Sequence, residues 1–554
     1  MSKKTTLFIR IAVITCALAL IAVACAPAPT ATPPPTQPPA AAPTTTAVPP
    51  TATAAKPVDI EMWASPTSTQ APAPPADWIG YKTILAKLNI NLKYVALPTG
   101  GDGETKLNAA AAANALPDFF MAVSTTSQRN KVIELNKQGL IAPVDDLLKL
   151  MPNRVKTHYN VPSSFALGNL DGKQMAFVEV ANLPRREGFV IRKDWLDKLG
   201  LKMPTTIDEA FAVAQAFTTK DPDGNGKNDT FGLGGYYDQT WGEGNRFAFF
   251  FGAYGVPDLW NWGDMNNFGL SVRTPEFYKA LTEFRKWNDA KVIDPDWPTI
   301  NRDEFRIRWP QGRYGMMWED FGALATVANY PKFDNNFPNG EWVTVPSLKS
   351  SASAKTYYNA YGSVGNYFAV SKKAADAGKG PAIAKFLEWL ASPEGYYLCG
   401  FGVEGVNYKL DKDSVVVTDG LPDPKLAWNA EATQSLTQFR NELVFTNEPK
   451  EVQARYPSFQ SKAGRTISPL SFYQAFSTQP WADSVPGQLI VNPSNRADLQ
   501  RFYNESFQAF ALGTKPLTDA TWADFLKALD TNFKANQWEA DSKKILQDAG
   551  VLKK

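Results

Sequence analysis

The residues best suited to chemistry form a short loop with oxygen atoms at alternate positions. Five residues supply them: Asp221, Asp223, Asn225, Lys227 through its carbonyl, and Asp229. Gly226 stands at the sixth place of the loop, where an EF-hand needs a sharp turn. Oxygen donors alone are typical of a hard cation, so the spacing predicts a structural calcium site.

The end of this loop departs from the EF-hand pattern. Gly232 stands at the twelfth place, where an EF-hand has a bidentate Glu, and the residues that follow favour an extended strand over a helix. The pattern therefore indicates a truncated, static site and excludes a paired signalling EF-hand. The alternative is a turn without metal, since Asp, Asn and Gly favour turns by themselves.

Composition excludes several other kinds of chemistry. His158 is the one histidine among 554 residues, which argues against zinc or copper sites and against Ser-His or Cys-His catalysis. The formal net charge of +2 gives no reason to expect a nucleic-acid partner. The chain has 16 Trp, 19 Tyr and 33 Phe, enough to fill a core and also to line a cleft that stacks on sugars.

The N-terminus has the pattern of an export signal. Lys3, Lys4 and Arg10 are followed by an apolar stretch, Ile11 to Ala24, which is too short to span a bilayer comfortably. Residues 22–25, Ala-Val-Ala-Cys, resemble the bacterial lipobox. We therefore predict a signal peptide at residues 1–24 and lipidation of Cys25. The alternative is an ordinary signal peptide with an incidental Cys.

A tether follows at residues 25–56. Of the thirty residues from Ala26 to Ala55, all but Gln37 and Val48 are Ala, Pro or Thr. Ten prolines favour polyproline II, so the segment should act as a semi-rigid spacer of roughly 90 Å. Such a spacer makes sense if its start is anchored.

The elements that must position the loop and the aromatic residues alternate between strands and helices. Strands are predicted at 59–64, 91–97, 118–123 and 188–192, and helices at 81–88, 105–116, 128–139 and 193–199. Thr206 and Glu209 form a capping-box pattern ahead of a helix that leads into the metal loop. Further helices are predicted at 275–290, 382–391, 424–442, 497–510, 519–533 and 538–549. This order indicates an α/β fold with a doubly wound sheet, and nearly five hundred residues need at least two lobes.

Several motifs together resemble family 1 of the extracellular solute-binding proteins, in its sugar-binding class. Within that class they look most like the branch that contains the lipoproteins of polysaccharide uptake and the alginate-binding proteins. The motifs are residues 189–201, 203–206, the metal loop, 312–318, 365–371, 386–395 and 402–408. Together they cover most of residues 57–410. Those relatives end the metal loop with Asp-Glu, whereas Thr230 follows Asp229 here.

The resemblance implies a two-lobed α/β fold of the periplasmic-binding-protein type, with ligand in the cleft. Lobe 1 is expected at 57–165 plus 312–362, and lobe 2 at 166–311 plus 363–554. It further implies a monomeric receptor, anchored by lipid at the extracytoplasmic face of a bacterial membrane. The receptor would capture a carbohydrate and deliver it to the permease of an ABC importer, without enzymatic activity. Lobe closure on the ligand would signal occupancy to the permease.

Four residues are candidates for contact with the carbohydrate. The resemblance places Trp318 near the hinge, where a ring can stack on a pyranose, and Arg185 on a strand between the lobes, where a guanidinium suits hydroxyl-rich or acidic sugars. Trp63 and Trp241 follow predicted strand ends. The alternatives are that Trp318 is a core residue, that Arg185 is a surface residue, and that Arg186 or Glu187 serves in place of Arg185.

Two other functions fit part of the pattern. A secreted, calcium-stabilised glycoside hydrolase would share the anchor, the aromatic residues and the loop. It needs two carboxylates across the scissile bond, and Glu319 and Asp320 are adjacent residues of one strand that face opposite ways. A surface adhesion module would hold a polymer or protein without lobe closure.

Overall fold

Two β-sheets form the framework of this protein, seen in a computed structural model. The structure describes residues 56–65, 74, 76–125, 127–159, 164–181, 186–237, 245–351, 353, 355–357, 360–361, 363–412, 416–417, 420–422, 452–453 and 456–553. The strands are β1 Val58–Ala64, β2 Ile90–Ala96, β3 Phe119–Met121, β4 Asn169–Leu170, β5 Lys173–Gln174, β6 Phe177–Ala181, β7 Glu187–Arg192, β8 Phe231–Gly234, β9 Tyr314–Asp320, β10 Trp342–Thr344, β11 Ala360–Tyr361, β12 Ser363–Val370, β13 Lys409–Leu410, β14 Val416–Val417, β15 Phe459–Gln460, β16 Thr466–Ile467 and β17 Ala482–Asp483.

Helices cover and connect these strands. In the first part of the chain they are α1 Ile79–Leu88, α2 Gly101–Ala112, α3 Gln128–Lys137, α4 Asp145–Leu148, α5 Pro152–His158, α6 Ser164–Gly168, α7 Lys193–Lys198, α8 Ile207–Thr219, α9 Ala248–Ala253, α10 Pro275–Asp289, α11 Arg302–Arg308, α12 Phe321–Leu324, α13 Tyr330–Asp334, α14 Lys372–Asp376, α15 Gly380–Leu390 and α16 Pro393–Phe401. Four more lie near the C-terminus: Pro469–Ser477, Arg496–Leu512, Asp519–Phe533 and Ala535–Asp548. Short 3₁₀ turns occur at Asn245–Phe247, Met265–Asn267, Ser271–Arg273, Trp309–Gln311 and Val485–Leu489.

The first sheet has the strand order β2-β1-β3-β12-β6. Its first three strands are parallel and joined through helices, while β12 is antiparallel to both β3 and β6. In β1 the alternate residues Ile60, Met62 and Ala64 are buried, the period that a strand imposes. The predicted α/β fold is confirmed here, and the predicted strands and helices of this half lie within a few residues of the observed ones.

The second sheet has the order β10-β7-β9-β8 and corrects the predicted lobe boundaries. Residues 312–362 were expected in lobe 1, but β9 pairs with β7 and β8 of the second sheet. The reverse holds for β12 and β6, which were expected in lobe 2 and lie in the first sheet. β9 is buried from Tyr314 to Glu319 and needs a strand on each edge. A local pattern shows that a strand is buried but not which sheet buries it.

In both sheets, the carboxyl ends of strands lie next to the segments that join the two sheets. The chain leaves the first sheet at the end of β6 and enters the second at the start of β7, then returns between β10 and β12. The start of β7 pairs with the end of β9, Glu187 opposite Asp320, so the joining segment lies at the carboxyl ends of β8 and β9. In the first sheet, β12 begins beyond the carboxyl end of β3. Ligands of doubly wound sheets bind at such ends.

An aromatic core supports the second sheet. Pro275 and the Thr274 cap, whose hydroxyl accepts from the Phe277 amide at 3.3 Å, start α10. One face of α10 buries Phe284 and Trp287, whose rings meet Phe250 edge to face at 5.5 and 5.3 Å. The helix Arg496–Leu512 packs against α10. The C-terminal part of the chain is therefore an integral part of this half.

The predicted capping box ahead of α8 is only half formed. The Thr206 hydroxyl accepts from the Glu209 amide at 3.2 Å, as expected. The Glu209 carboxylate instead accepts from the amide and hydroxyl of Thr205, both at 2.8 Å. The predicted signal peptide, tether and helix at 424–442 lie outside the described residues. Within the described ranges, none of the helices has both the length and the apolar character to cross a bilayer.

Candidate ligand-binding cleft

A cavity of about 520 Å³ lies at the edge where ligands are expected. One wall is the start of α3, which follows β3 at its carboxyl end and packs against β12 of the first sheet. The opposite wall includes Asp258 to Trp262, which follow α9, and α9 packs on β7 of the second sheet through Phe249 and Phe189, with ring centroids 3.8 Å apart. The cavity therefore lies between the two halves.

The lining suits a ligand with many hydroxyl groups. Its polar side chains are Ser127, Asn130, Asp258, Ser484, Gln488 and Asn492. Its aromatic residues are Trp260, Trp262 and Trp538, each at most 6% exposed and held by ring contacts such as Trp260 with Trp538 at 4.9 Å. Two cations, Arg129 and Arg496, complete it. Aromatic surface with a few polar groups is the usual chemistry of a small-ligand pocket.

Trp318 does not have the exposed ring that was predicted for stacking on a sugar. Its side chain is 0% exposed, lies at 6.3 Å from the parallel ring of Phe249 and meets Trp481 edge to face at 6.2 Å. Trp481 is only partly buried. Trp318 is thus a core residue in this structure, and its ring packs against that of the partly buried Trp481.

Trp63 was predicted to follow the end of the first strand, and it lies within β1, one residue before the end. Its ring is partly buried, its Nε1 donates to Glu61 Oε1 at 2.8 Å, and Lys106 Nζ lies 5.0 Å from the ring centroid. These contacts orient the ring on a sheet face, and Trp63 is not among the residues that line the cavity. Arg185, Trp241 and Cys25 lie outside the described residues, so their roles stay predictions.

Four charged side chains form an ion cluster where the end of β9 pairs with the start of β7. They are Glu187, Arg246, Arg306 and Glu319, here called the β9 ion cluster. Glu319 is 0% exposed and accepts from Arg306 Nη2 at 2.9 Å and Arg246 Nη1 at 3.3 Å. Burial lowers the pKa of Arg246, but Glu319 and Glu187 outweigh it and hold the pKa above its ordinary value. The Glu319 carboxylate is thus occupied by two arginine side chains inside the protein.

Asp320, beside this cluster, has a different environment. Burial raises the pKa of its carboxyl, and the charge of Arg186, whose Nε donates to Asp320 Oδ2 at 3.3 Å, opposes that rise. The carboxylate also accepts from the Gly322 amide at 2.6 Å and caps α12. Glu319 and Asp320 are therefore engaged in separate structural contacts, and neither lines the cavity.

The predicted metal loop gathers its oxygen atoms around one amide. Asn225 Nδ2 donates to Asp223 Oδ2 at 2.9 Å and to Asp229 Oδ1 at 3.1 Å. Asp221 accepts from the backbone amides of Gly224, Asn225 and Gly226, each at 3.0 Å. Burial, the hydrogen bond with Asp221 and the charge of Asp229 raise the pKa of Asp223. The loop thus concentrates negative charge that an amide only partly offsets.

Donor chemistry in this loop fits a hard cation if Asn225 turns its oxygen inward. In the described ranges, no group of three or more His, Cys, Asp or Glu side chains is arranged to hold a metal. The absent twelfth ligand has a steric reason. A Cβ on Gly232 would lie 2.4 Å from the Cα and carbonyl oxygen of Ala214, so the packing of β8 on α8 excludes any side chain there.

Sequence reasoning missed most residues of the cavity. The strand at 118–123 and the helix from 128 were predicted, and together they place Ser127 to Asn130 at a carboxyl end, so Arg129 could have been found. No local signal joins these residues to Trp260, Ser484, Asn492 or Trp538. Those segments are brought together by the fold alone.

The fold thus combines two α/β halves with a cavity that is lined from both. The sequence profile of the bacterial extracellular solute-binding proteins matches residues 63–397, more than half of the chain, and the chain belongs to that family. This membership confirms the predicted family.

Two curated relatives come from Bacillus subtilis (strain 168). The polygalacturonan/rhamnogalacturonan-binding protein YtcQ is 28% identical over 312 residues, 56% of this chain and 59% of that protein. Lipoprotein LipO is 28% identical over 237 residues, 42% of this chain and 45% of LipO. This chain therefore spans less than two thirds of the length of either relative.

Solved structures show the same fold. The HMO-binding ABC-transporter-associated solute-binding protein of Bifidobacterium longum infantis is 17% identical with a TM-score of 0.62, over 90% of this chain and all of that one. The alginate-binding protein AlgQ2, solved without calcium ion, is 18% identical with a TM-score of 0.55, over 88% of this chain and 98% of that one. The two-lobed fold class is thereby confirmed.

Proposed function

We propose that this chain is a monomeric receptor that captures an oligosaccharide outside the cell membrane and delivers it to the permease of an ABC importer. The observation that carries the proposal is the 520 Å³ cavity between the two halves, lined by Trp residues and uncharged polar groups. Membership of the solute-binding family supports it, as does a relative whose name states that it binds polygalacturonan. Closure of the halves on the ligand would make the loaded state recognisable to the permease.

The hydrolase alternative finds little support in the cavity. A glycoside hydrolase needs two carboxyl groups about 5 to 9.5 Å apart. Among the described residues that line this cavity, Asp258 is the one carboxylate, and its Oδ1 accepts from the Leu259 amide at 2.8 Å.

Titration calorimetry of the protein against a panel of oligosaccharides, with chromatography of the same samples, tests this function. We expect saturable binding and unchanged sugar. Small-angle scattering should show a more compact particle with the ligand that binds. Cleaved products would support the hydrolase instead, and absence of binding to every oligosaccharide would refute the receptor.

Anchoring is a further part of the proposal. The lipobox-like residues 22–25 and the tether after them support acylation of Cys25, and LipO is a relative named as a lipoprotein. Multiple acyl chains on one residue give stable membrane attachment. Expressed in a bacterial host, the protein should fractionate with membranes, and Cys25→Ala should release it. Equal membrane retention of both proteins would contradict lipid anchoring.

Calcium at the 221–229 loop is the last part of the proposal. Bound there, the ion would neutralise carboxylates and fix the connection between α8 and β8. Asp221, Asp223, Asn225, Asp229 and the Lys227 carbonyl would hold it. We expect EDTA to lower the melting temperature of the protein and Asp223→Ala to abolish that sensitivity. If EDTA leaves the melting curve unchanged, the proposal of a bound calcium ion is refuted.

A further inference from the structure

Arg129 lines two neighbouring cavities. The first is the 520 Å³ cavity between the halves, and the second, of about 630 Å³, lies between Phe165 to Gln174 and the C-terminal residues Ile545 to Ala549. Leu489 also borders both. The two cavities are therefore adjacent at Arg129, and a ligand in either one would lie beside this side chain.

The guanidinium of Arg129 has no acidic partner among the described residues. Its Nε donates to the Leu167 carbonyl at 3.3 Å, and this is its one hydrogen bond within the described part of the chain. Burial lowers its pKa, and only the nearby Tyr367 acts in the other direction. The two Nη atoms are therefore left for whatever fills the cavities.

Carboxylates near the cavities are engaged elsewhere or exposed. Asp258 accepts from the Leu259 amide, and Asp548 is paired with Lys544 Nζ at 2.5 Å. Asp171 is exposed to solvent. A half-buried cation without a counter-ion is costly unless a partner arrives, because burial removes part of its hydration.

We propose that Arg129 binds a carboxylate of an acidic oligosaccharide, so that the ligand contains uronic acid residues. This inference rests on the proposed receptor function and specifies its ligand class. The planar guanidinium fork matches a carboxylate with two parallel hydrogen bonds, which neutral hydroxyl groups cannot reproduce. The ligand charge would compensate Arg129 only in the loaded protein, and the site would thereby select acidic over neutral sugars.

Calorimetry with two matched probes tests this proposal: trigalacturonate and its fully methyl-esterified form. We expect the full-length protein to bind trigalacturonate more tightly than its ester. Added salt should weaken the binding of trigalacturonate and leave the binding of the ester unchanged. Arg129→Met should lower affinity for the acid about 10- to 100-fold and leave the ester nearly unchanged. Arg129→Lys keeps the positive charge but not the planar guanidinium fork, so it should lose less affinity for the acid than Arg129→Met does.

Lys137→Met is the matched control, since it removes a positive charge from the exposed end of the same helix, away from both cavities. It should change neither affinity. Equal losses for acid and ester in Arg129→Met, or no loss at all, would overturn the role of Arg129. Binding of neutral oligosaccharides alone would overturn the ligand class while the receptor function stands. Failure of every oligosaccharide would overturn both.

Discussion

Replacing Glu319 by Gln should destabilise the protein far more than the same change at the surface. The substitution keeps the shape of the side chain and removes one negative charge. Glu319 is 0% exposed and receives donors from Arg246, Arg306 and the Asp320 amide, the last at 2.8 Å. A Gln amide would turn an NH₂ group toward donors in place of one acceptor oxygen.

The magnitude follows from what remains unpaired. Removing one partner of a buried ion pair costs about 3–5 kcal/mol. Arg306 is 33% exposed and can regain water, and Arg246 keeps Glu187 at 3.6 Å, so we expect the lower end, about 3 kcal/mol. With an unfolding entropy of roughly 2.1 cal/mol/K per residue over roughly 250 to 500 residues, the melting temperature should fall by about 3–6 °C.

Thermal unfolding followed by circular dichroism measures this shift. Glu505→Gln is the control, because Glu505 is exposed on the helix Arg496–Leu512 and should change stability by less than about 0.5 kcal/mol. The double variant Arg246→Met, Glu319→Gln should lose less than the sum of the two single losses. If Glu319→Gln melts like Glu505→Gln, the β9 ion cluster contributes nothing and the reasoning fails.

Two further changes test the packing and the electrostatics of the second sheet. Gly232→Ala should lower the unfolding free energy, measured by denaturant titration, by about 1–3 kcal/mol, because the new Cβ would lie 2.4 Å from the Ala214 backbone. Gly101→Ala is the control: its Cβ would have no atom nearer than 3.9 Å, so the same titration should show no change. Asp294 is buried, and although burial opposes it, hydrogen bonds from Arg313 and Tyr314 hold the pKa of Asp294 below its ordinary 3.8. The stabilisation by the Asp294 carboxylate is thus present above pH 3.8 and is lost as the pH falls through the lower folded-state pKa. The melting temperatures of the protein and of Asp294→Asn should therefore differ at pH 7 and converge toward pH 3. A difference that stays constant with pH would contradict this linkage.

Much of the local structure could be predicted because its causes are local. The alternation in β1, the Thr206 cap of α8 and the Pro275 start of α10 depend on residues within one or two turns of each other. Family membership also followed from short motifs, which is why the fold class was predicted correctly.

Burial and ligand contact at individual residues could not be predicted in this way. The family resemblance made Trp318 a candidate stacking ring, with a core position as the alternative. The ring is buried, and Trp481, 163 positions later, contacts it edge to face. The half-formed capping box shows the same limit on a smaller scale, because Thr205 competes for the Glu209 carboxylate.

The amino-acid sequence by itself determined local features such as the alternation in β1, the Thr206 cap of α8 and the Pro275 start of α10, since each is set by neighbours along the chain. Only the tertiary structure decided that β9 joins the second sheet, and that Arg129 meets residues near 260, 489 and 548 around shared cavities. Strand pairing and cavity walls are stabilised by contacts between distant segments, and the free energy of those contacts leaves no periodic mark on the residues that make them.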